Sequence, residues 1–354
     1  MTNEKICIHC CTVYQLFVAC CLRIGLFKNN SVTLVMSKSV PNSIRIIQRL
    51  SETKFFNELF LIDNETVDWN KGIYNVPFFR NLEMKKILKN TPLDNYYYDT
   101  YLFAGLGGFS NSFGQWLLKY NPKLKIEMYE EGASSYSRIY EEAIQRRKCN
   151  SSFHKRIFYK FFPHALKLYS CFYYFTPELV LWGDKSSYKK IPALQEYIDE
   201  IRRVLNYVFE YDALVDDYHQ RVIFFEESYY NDGIDVDDIS IVNQLAVKYG
   251  QEAIFVKRHP RNKENRFAQV GFVTSYDSSV PWELIAMNLE NLDEKILVTM
   301  TSTALISTFL LLNSNAKMIF KVSEMPEDNA RIKYTKEVIL KLCSLFPTRV
   351  SEEI

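Results

Sequence analysis

Short apolar runs recur along the chain, with longer stretches between them in which apolar positions return every three or four residues. Runs at 5–11, 31–36, 59–62, 100–104 and 125–129 predict strands, and a run at 180–182 is expected to close that half. Runs at 221–226, 253–256, 270–274, 296–300 and 317–321 predict a second set. Strands alternating with helical stretches in this way form βαβ units and parallel sheets. Residues 192–206 carry a mixed apolar and charged helical pattern, and 331–345 reads as an amphipathic helix with Ile332, Val338, Leu340 and Leu342 among its apolar positions.

The pattern occurs twice, so the expectation is an α/β chain of two Rossmann-like domains facing a central cleft. The boundaries are set at 1–190, 191–330 and a C-terminal helix at 331–354. A length of 354 residues exceeds what one core usually organises, which agrees with two domains. At 47% hydrophobic and 24% charged, the composition excludes a disordered or fibrous chain. A net charge of +1 leaves no global basic footprint for nucleic acid.

Eight cysteines add little chemistry, because five of them crowd into the first strand and helix. The adjacent pairs Cys10-Cys11 and Cys20-Cys21 lie in apolar runs and read as small buried hydrophobes in a reducing setting, not as a disulfide framework. Cys7, His9, Cys10 and Cys11 alternate faces along one strand, which spoils convergence on a metal. Asn3, Glu4 and Lys5 lead directly into that strand, so no signal peptide is expected. The stretch 13–27 is interrupted by Gln15 and Arg23, and is too short and polar for a membrane span. A cytoplasmic location follows as the expectation. Residues 138–167 interleave Arg and Lys with Phe and Tyr. That composition suits peripheral contact with anionic lipid at the inner face of the membrane, grip on an acidic glycan, or a solvated helix with a buried aromatic face.

Four polar constellations stand where predicted strands stop. Glu130-Glu131-Gly132 offers one carboxylate as a base and another to orient backbone or substrate, with a glycine for a tight turn. Lys257-Arg258-His259-Pro260-Arg261 offers a histidine able to protonate a leaving phosphate oxygen within a positive field. Thr301-Ser302-Thr303 precedes a predicted helix, where hydroxyls and backbone N–H groups suit an anion. Gly105-Leu106-Gly107-Gly108 allows a close ligand approach, but it lacks the full dinucleotide spacing and reads first as a tight turn.

In their order and spacing these motifs resemble bacterial sialyltransferases of glycosyltransferase family 52 and the related capsular polysialyltransferases. The match comprises Glu130-Glu131-Gly132, His259-Pro260 and Ser302-Thr303, with 8–16 similar to the start of those enzymes. The resemblance implies a GT-B enzyme that moves sialic acid from CMP-sialic acid to a bacterial surface glycan, lipooligosaccharide or capsule, with inversion and with no metal or cofactor. By that carry-over Glu131, or its neighbour Glu130, deprotonates the acceptor, and His259 assists departure of CMP. Ser302 and Thr303 hold the phosphate, with Lys257, Arg258, Pro260, Arg261 and Gly132 completing the substrate site. Asp237 and Asp238 are held in reserve as the base, since some family members place an acid shortly before the His-Pro pair. Asp235-Val236-Asp237 reads as a solvated turn, and Asp235 with Asp237 becomes the place to look for a metal only if chelation abolishes activity. The competing readings are a hexosyltransferase of the same family, a sugar-nucleotide epimerase and a non-catalytic glycan-binding protein.

Overall fold

The computed structural model describes residues 4–69, 71–89, 91, 97–143, 169–211, 218–276, 280–312, 314–325 and 329–352. The first part of the chain runs β1 (Lys5–Cys10), α1 (Val13–Gly25), β2 (Ser31–Ser37), α2 (Ser43–Thr53), β3 (Glu58–Ile62), α3 (Pro77–Leu88), β4 (Thr100–Phe103), α4 (Gly108–Leu117), β5 (Lys125–Tyr129), α5 (Ala133–Tyr136), β6 (Tyr169–Tyr174), β7 (Tyr188–Lys190) and α6 (Ile198–Phe209). The second part runs β8 (Val222–Phe225), α7 (Asp238–Tyr249), β9 (Ile254–Lys257), α8 (Arg266–Gln269), β10 (Val273–Thr274), α9 (Trp282–Asn288), β11 (Ile296–Thr299), α10 (Thr303–Leu312), β12 (Lys317–Phe320), α11 (Ala330–Leu345) and β13 (Val350–Ser351). The described residues of Met1–Glu131 and Arg138–Val208 form one unit, and those of Gly132–Ser137 and Phe209–Ile354 form the other.

In the first unit a parallel sheet has the order β3-β2-β1-β4-β5-β6-β7. Its central strands are buried nearly end to end, as parallel strands covered on both faces must be. Helix α1 starts at Thr12, whose hydroxyl accepts the Gln15 N–H at 3.1 Å. It buries Leu16, Phe17, Val18 and Leu22. Cys7, Cys10, Cys20 and Cys21 are free and buried, filling space between close-packed elements, and burial raises their thiol pKa values. The strand order reverses between β1 and β4, which fixes the unit's topological switch point at their carboxyl ends.

The second unit has a parallel sheet in the order β10-β9-β8-β11-β12-β13. Val222, Phe224, Ile254, Val256, Ile296 and Val298 meet Ile241 and Leu245 of α7 and Phe267 of α8 in one core. Its switch point lies between β8 and β11.

Several expectations need correction. Residues 180–182 are not a strand: a short turn of 3-10 helix, Pro177–Leu179, precedes them, and the sheet is extended by β6 and β7 instead. Trp182 is buried as a packing residue, its ring 5.8 Å from Tyr140 and 5.9 Å from Phe172. The helix expected at 192–206 begins only at Ile198. The strand expected at 270–274 shrinks to Val273–Thr274, because Gly271 turns the chain at φ +89°. Beyond α11 the chain adds β13 in parallel beside β12. The basic aromatic stretch 138–167 lies outside the described residues from 144 onward. Among the described residues no helix is long and apolar enough to cross a membrane.

Candidate functional site

Strand β5 delivers Glu130 and Glu131 to the carboxyl edge of the first sheet, and the two carboxylates meet different surroundings. Glu130 is fully buried, with Oε1 accepting from the Tyr14 hydroxyl at 2.6 Å and Oε2 from the Phe175 N–H at 2.9 Å. Its own N–H donates to the Tyr173 carbonyl at 3.1 Å and so continues the β5–β6 pairing. Glu130 therefore locks the strand ends together.

Glu131, partly buried, accepts from the Gln15 side-chain amide at 3.3 Å and from the Tyr140 hydroxyl. Burial pushes its carboxyl above the ordinary value, while Tyr140 and Gln15 favour the charged form. Gln15 is oriented in turn by the Cys11 N–H, which donates to its Oε1 at 2.7 Å. Gly105, at φ +79°, makes room for this carboxylate: a Cβ there would sit 2.5 Å from Glu131 Oε2. The glycine cluster read as a tight turn thus also clears space for the acid. The neighbouring His9 contacts Ser110 Oγ at 3.1 Å, and burial pushes its pKa down to about 3, which leaves the ring neutral. Among the described residues no group of three His, Cys, Asp or Glu side chains forms a metal cluster.

In the second unit a cavity of about 200 Å³ is lined by Ser134, Glu227, His259, Arg261, Ser302 and Thr303, with Tyr229 and Thr301 beside them. Such a volume is below the ~300–1,000 Å³ that encloses a whole drug-sized ligand, and it suits a phosphate-bearing portion. The His259 N–H donates to Glu226 Oε2 at 3.0 Å, and the Arg261 N–H donates to His259 Nδ1 at 3.2 Å. With Nδ1 accepting, the neutral ring carries its proton on Nε2 and is a donor there. Arg261 reaches Ser228 Oγ at 2.5 Å and pairs with Asp232 at 3.4 Å.

Helix α10 opens on the same cavity, so its first N–H groups and dipole favour an anion. The Ser302 hydroxyl accepts the Ala304 N–H at 3.3 Å as a cap, and the Ser302 N–H donates to Thr299 Oγ1 at 3.2 Å. Glu227 holds this turn in shape, with Oε1 accepting the Thr301 N–H at 3.0 Å and the Thr301 hydroxyl at 3.2 Å. Gly132 packs against Thr303 within this unit, at φ +112°.

The structure separates residues that the sequence grouped together. His259, Arg261, Ser302 and Thr303 share the cavity, whereas Lys257 and Arg258 do not line it. Lys257 is buried at the end of β9 and acts on the buried Glu283, lowering a carboxyl that burial raises. Arg258 donates to the carbonyls of Asn262 and Lys263 at 3.0 and 3.3 Å, stapling its own loop. Pro260 is exposed between His259 and Arg261. Both reserve acids have structural work: Asp237 caps α7 by accepting the Ser240 N–H at 2.9 Å, and Asp238 grips Arg266 at 3.0 and 2.6 Å. Sequence reasoning missed Glu226-Glu227, although they follow the apolar run of β8 just as Glu130-Glu131 follow that of β5. It also passed over Tyr140, for which no local pattern gave a signal.

No curated protein matches the chain in a sequence comparison. Among solved structures, an alpha/beta-galactoside alpha-2,3-sialyltransferase from the luminous marine bacterium Photobacterium phosphoreum is similar over 99% of this chain and 99% of its own, at 15% identity and a TM-score of 0.57. A UDP-glucosyltransferase from Polygonum tinctorium is similar over 100% of this chain and 86% of its own, at 10% identity and a TM-score of 0.50. At these identities the likeness is one of fold, and that fold is the GT-B arrangement of two parallel α/β units. The alpha-2,8-polysialyltransferase (POLYST) family model matches residues 8–321, so the chain belongs to that family and is a glycosyltransferase of the sialyltransferase class.

Proposed function

We propose that the chain moves sialic acid from CMP-sialic acid to a glycan acceptor by inverting, metal-independent displacement. The observation that carries this reading is the cavity of the second unit, which combines a helix N-terminus, the hydroxyls of Ser302 and Thr303, Arg261 and an Nε2-protonated His259. These groups suit a single phosphate better than a diphosphate with its metal, since the cavity lining combines one arginine with a helix end. Glu131 is the base: its raised pKa makes it a stronger proton acceptor than an ordinary carboxylate, and unlike Glu130 it is not fully buried. In the displacement the acceptor hydroxyl gives its proton to Glu131 while its oxygen bonds to the anomeric carbon. The bond from that carbon to the phosphate oxygen breaks, and His259 donates a proton to the departing CMP.

The family's name suggests the linkage as well. Carried over to this chain, it makes the acceptor a glycan that ends in sialic acid, extended through an α-2,8 bond. A surface polysaccharide such as a capsule is the corresponding product, and contact with the membrane would suit it. The test compares CMP-sialic acid with UDP-sugars as donors for the wild type, Glu131→Gln and His259→Ala. Transfer from CMP-sialic acid should fall by ~10²–10⁴ in each variant. Wild-type turnover in either one removes that residue from the mechanism, and preference for a UDP-sugar moves the chain to the hexosyltransferase reading.

A further inference from the structure

We propose that Gln15 and Tyr140 are positioning residues for the Glu131 base, and that Gly105 leaves the space in which they hold it. This rests on Glu131 being the base, as proposed above. The two Glu131 oxygens are held by different donors: the Gln15 amide reaches Oε2 at 3.3 Å and the Tyr140 hydroxyl reaches Oε1. Both donors are themselves fixed. The Cys11 N–H holds Gln15 Oε1 at 2.7 Å, which turns the NH₂ end toward the carboxylate, and the Tyr140 ring is packed 6.0 Å from Phe172 and 5.8 Å from Trp182. A Cβ at position 105 would lie 2.5 Å from Oε2 at a φ of +79°, so a side chain there would be strained and would displace the carboxylate. The arrangement is a preorganised base held by a second layer of side chains.

The neighbouring titratable groups leave Glu131 to set the acid limb of activity. Cys11, at the end of β1, is pushed up to about 12 by burial and by the Glu131 charge. Tyr129 and Tyr140 are pushed up by burial, and His9 is neutral with a pKa of about 3. Glu130 is occupied by Tyr14 and Phe175. Donors to a carboxylate stabilise its charged form, so deleting one raises the pKa, and the form active as a base then appears only at higher pH.

The experiment is the pH profile of kcat/KM for Gln15→Met, Tyr140→Phe and Tyr14→Phe, with Glu131→Gln alongside. Gln15→Met and Tyr140→Phe should each move the acid limb upward by about one pH unit. The KM for CMP-sialic acid should stay at the wild-type value. Tyr14→Phe removes a hydroxyl from the adjacent position of the same helix, but its partner is Glu130, so the limb should stay in place. Should Gln15→Met fail to fold, Tyr140→Phe carries the test. An unmoved limb in the folded variants, with Glu131→Gln inactive, overturns the positioning role. Full activity of Glu131→Gln instead overturns the base itself.

Discussion

Replacing Gly132 by alanine tests whether the glycine of the acidic motif is a matter of backbone and packing. Gly132 has φ +112° and ψ −163°, a region that side chains essentially exclude, at a cost of about 1–3 kcal/mol. An added Cβ would also lie 2.7 Å from Thr303 Cγ2 and 3.3 Å from its Oγ1. Forcing that methyl group aside is overpacking, worth about 1–3 kcal/mol more. The two contributions together predict a loss of about 2–6 kcal/mol, read as a lower urea midpoint by Trp fluorescence. Since Thr303 opens α10, the affinity for CMP should fall as well. The contributions can be separated, because Thr303→Ser deletes Cγ2 and keeps the hydroxyl. In the double variant the packing part should return while about 1–3 kcal/mol of backbone strain remains, a coupling that a double-mutant cycle measures directly. A Gly132→Ala variant within about 0.5 kcal/mol of wild type, or a deficit that Thr303→Ser leaves untouched, would refute the reasoning.

Ser302→Ala should lose about 1 kcal/mol of stability with its cap and also weaken CMP binding, whereas Thr303→Ala should weaken CMP binding by about 1.5–3 kcal/mol without the capping loss; calorimetric titration and thermal melts separate the two. Asp238→Asn should cost about 3–5 kcal/mol by breaking the buried pair with Arg266 while leaving the pH profile of transfer alone, and a loss of turnover with full stability would reinstate it as the base. Transfer should persist in excess EDTA, and restoration of a lost activity by Mg²⁺ or Mn²⁺ would overturn the metal-independent mechanism and direct attention to Asp235 and Asp237.

The sequence alone determined most of the scaffold, because burial leaves a local signature. A parallel strand covered on both faces needs a run of apolar residues wherever it lies, so β1, β2, β4, β5, β8, β9, β11 and β12 were legible to within about a residue or two at each end. The ends of those runs located the polar motifs, and strand order then put the Gly105 turn and Thr301-Ser302-Thr303 at the switch points of their units, with the acidic and His-Pro motifs one strand away. The division of labour within a motif was not legible. Glu130 and Glu131 are neighbours of one chemical type, and it is their partners that set them apart: Tyr14 and Phe175 for the first, Gln15 and Tyr140 for the second. Lys257, Arg258, His259 and Arg261 looked like one charged cluster. Alternation along β9 and the turn after it sends Lys257 toward Glu283 and Arg258 onto loop carbonyls, leaving His259 and Arg261 at the cavity. Periodicity reports whether a side chain is covered. Which group covers it, and whether a charge is satisfied or left for chemistry, is decided by contacts between distant segments that form only when the sheets assemble.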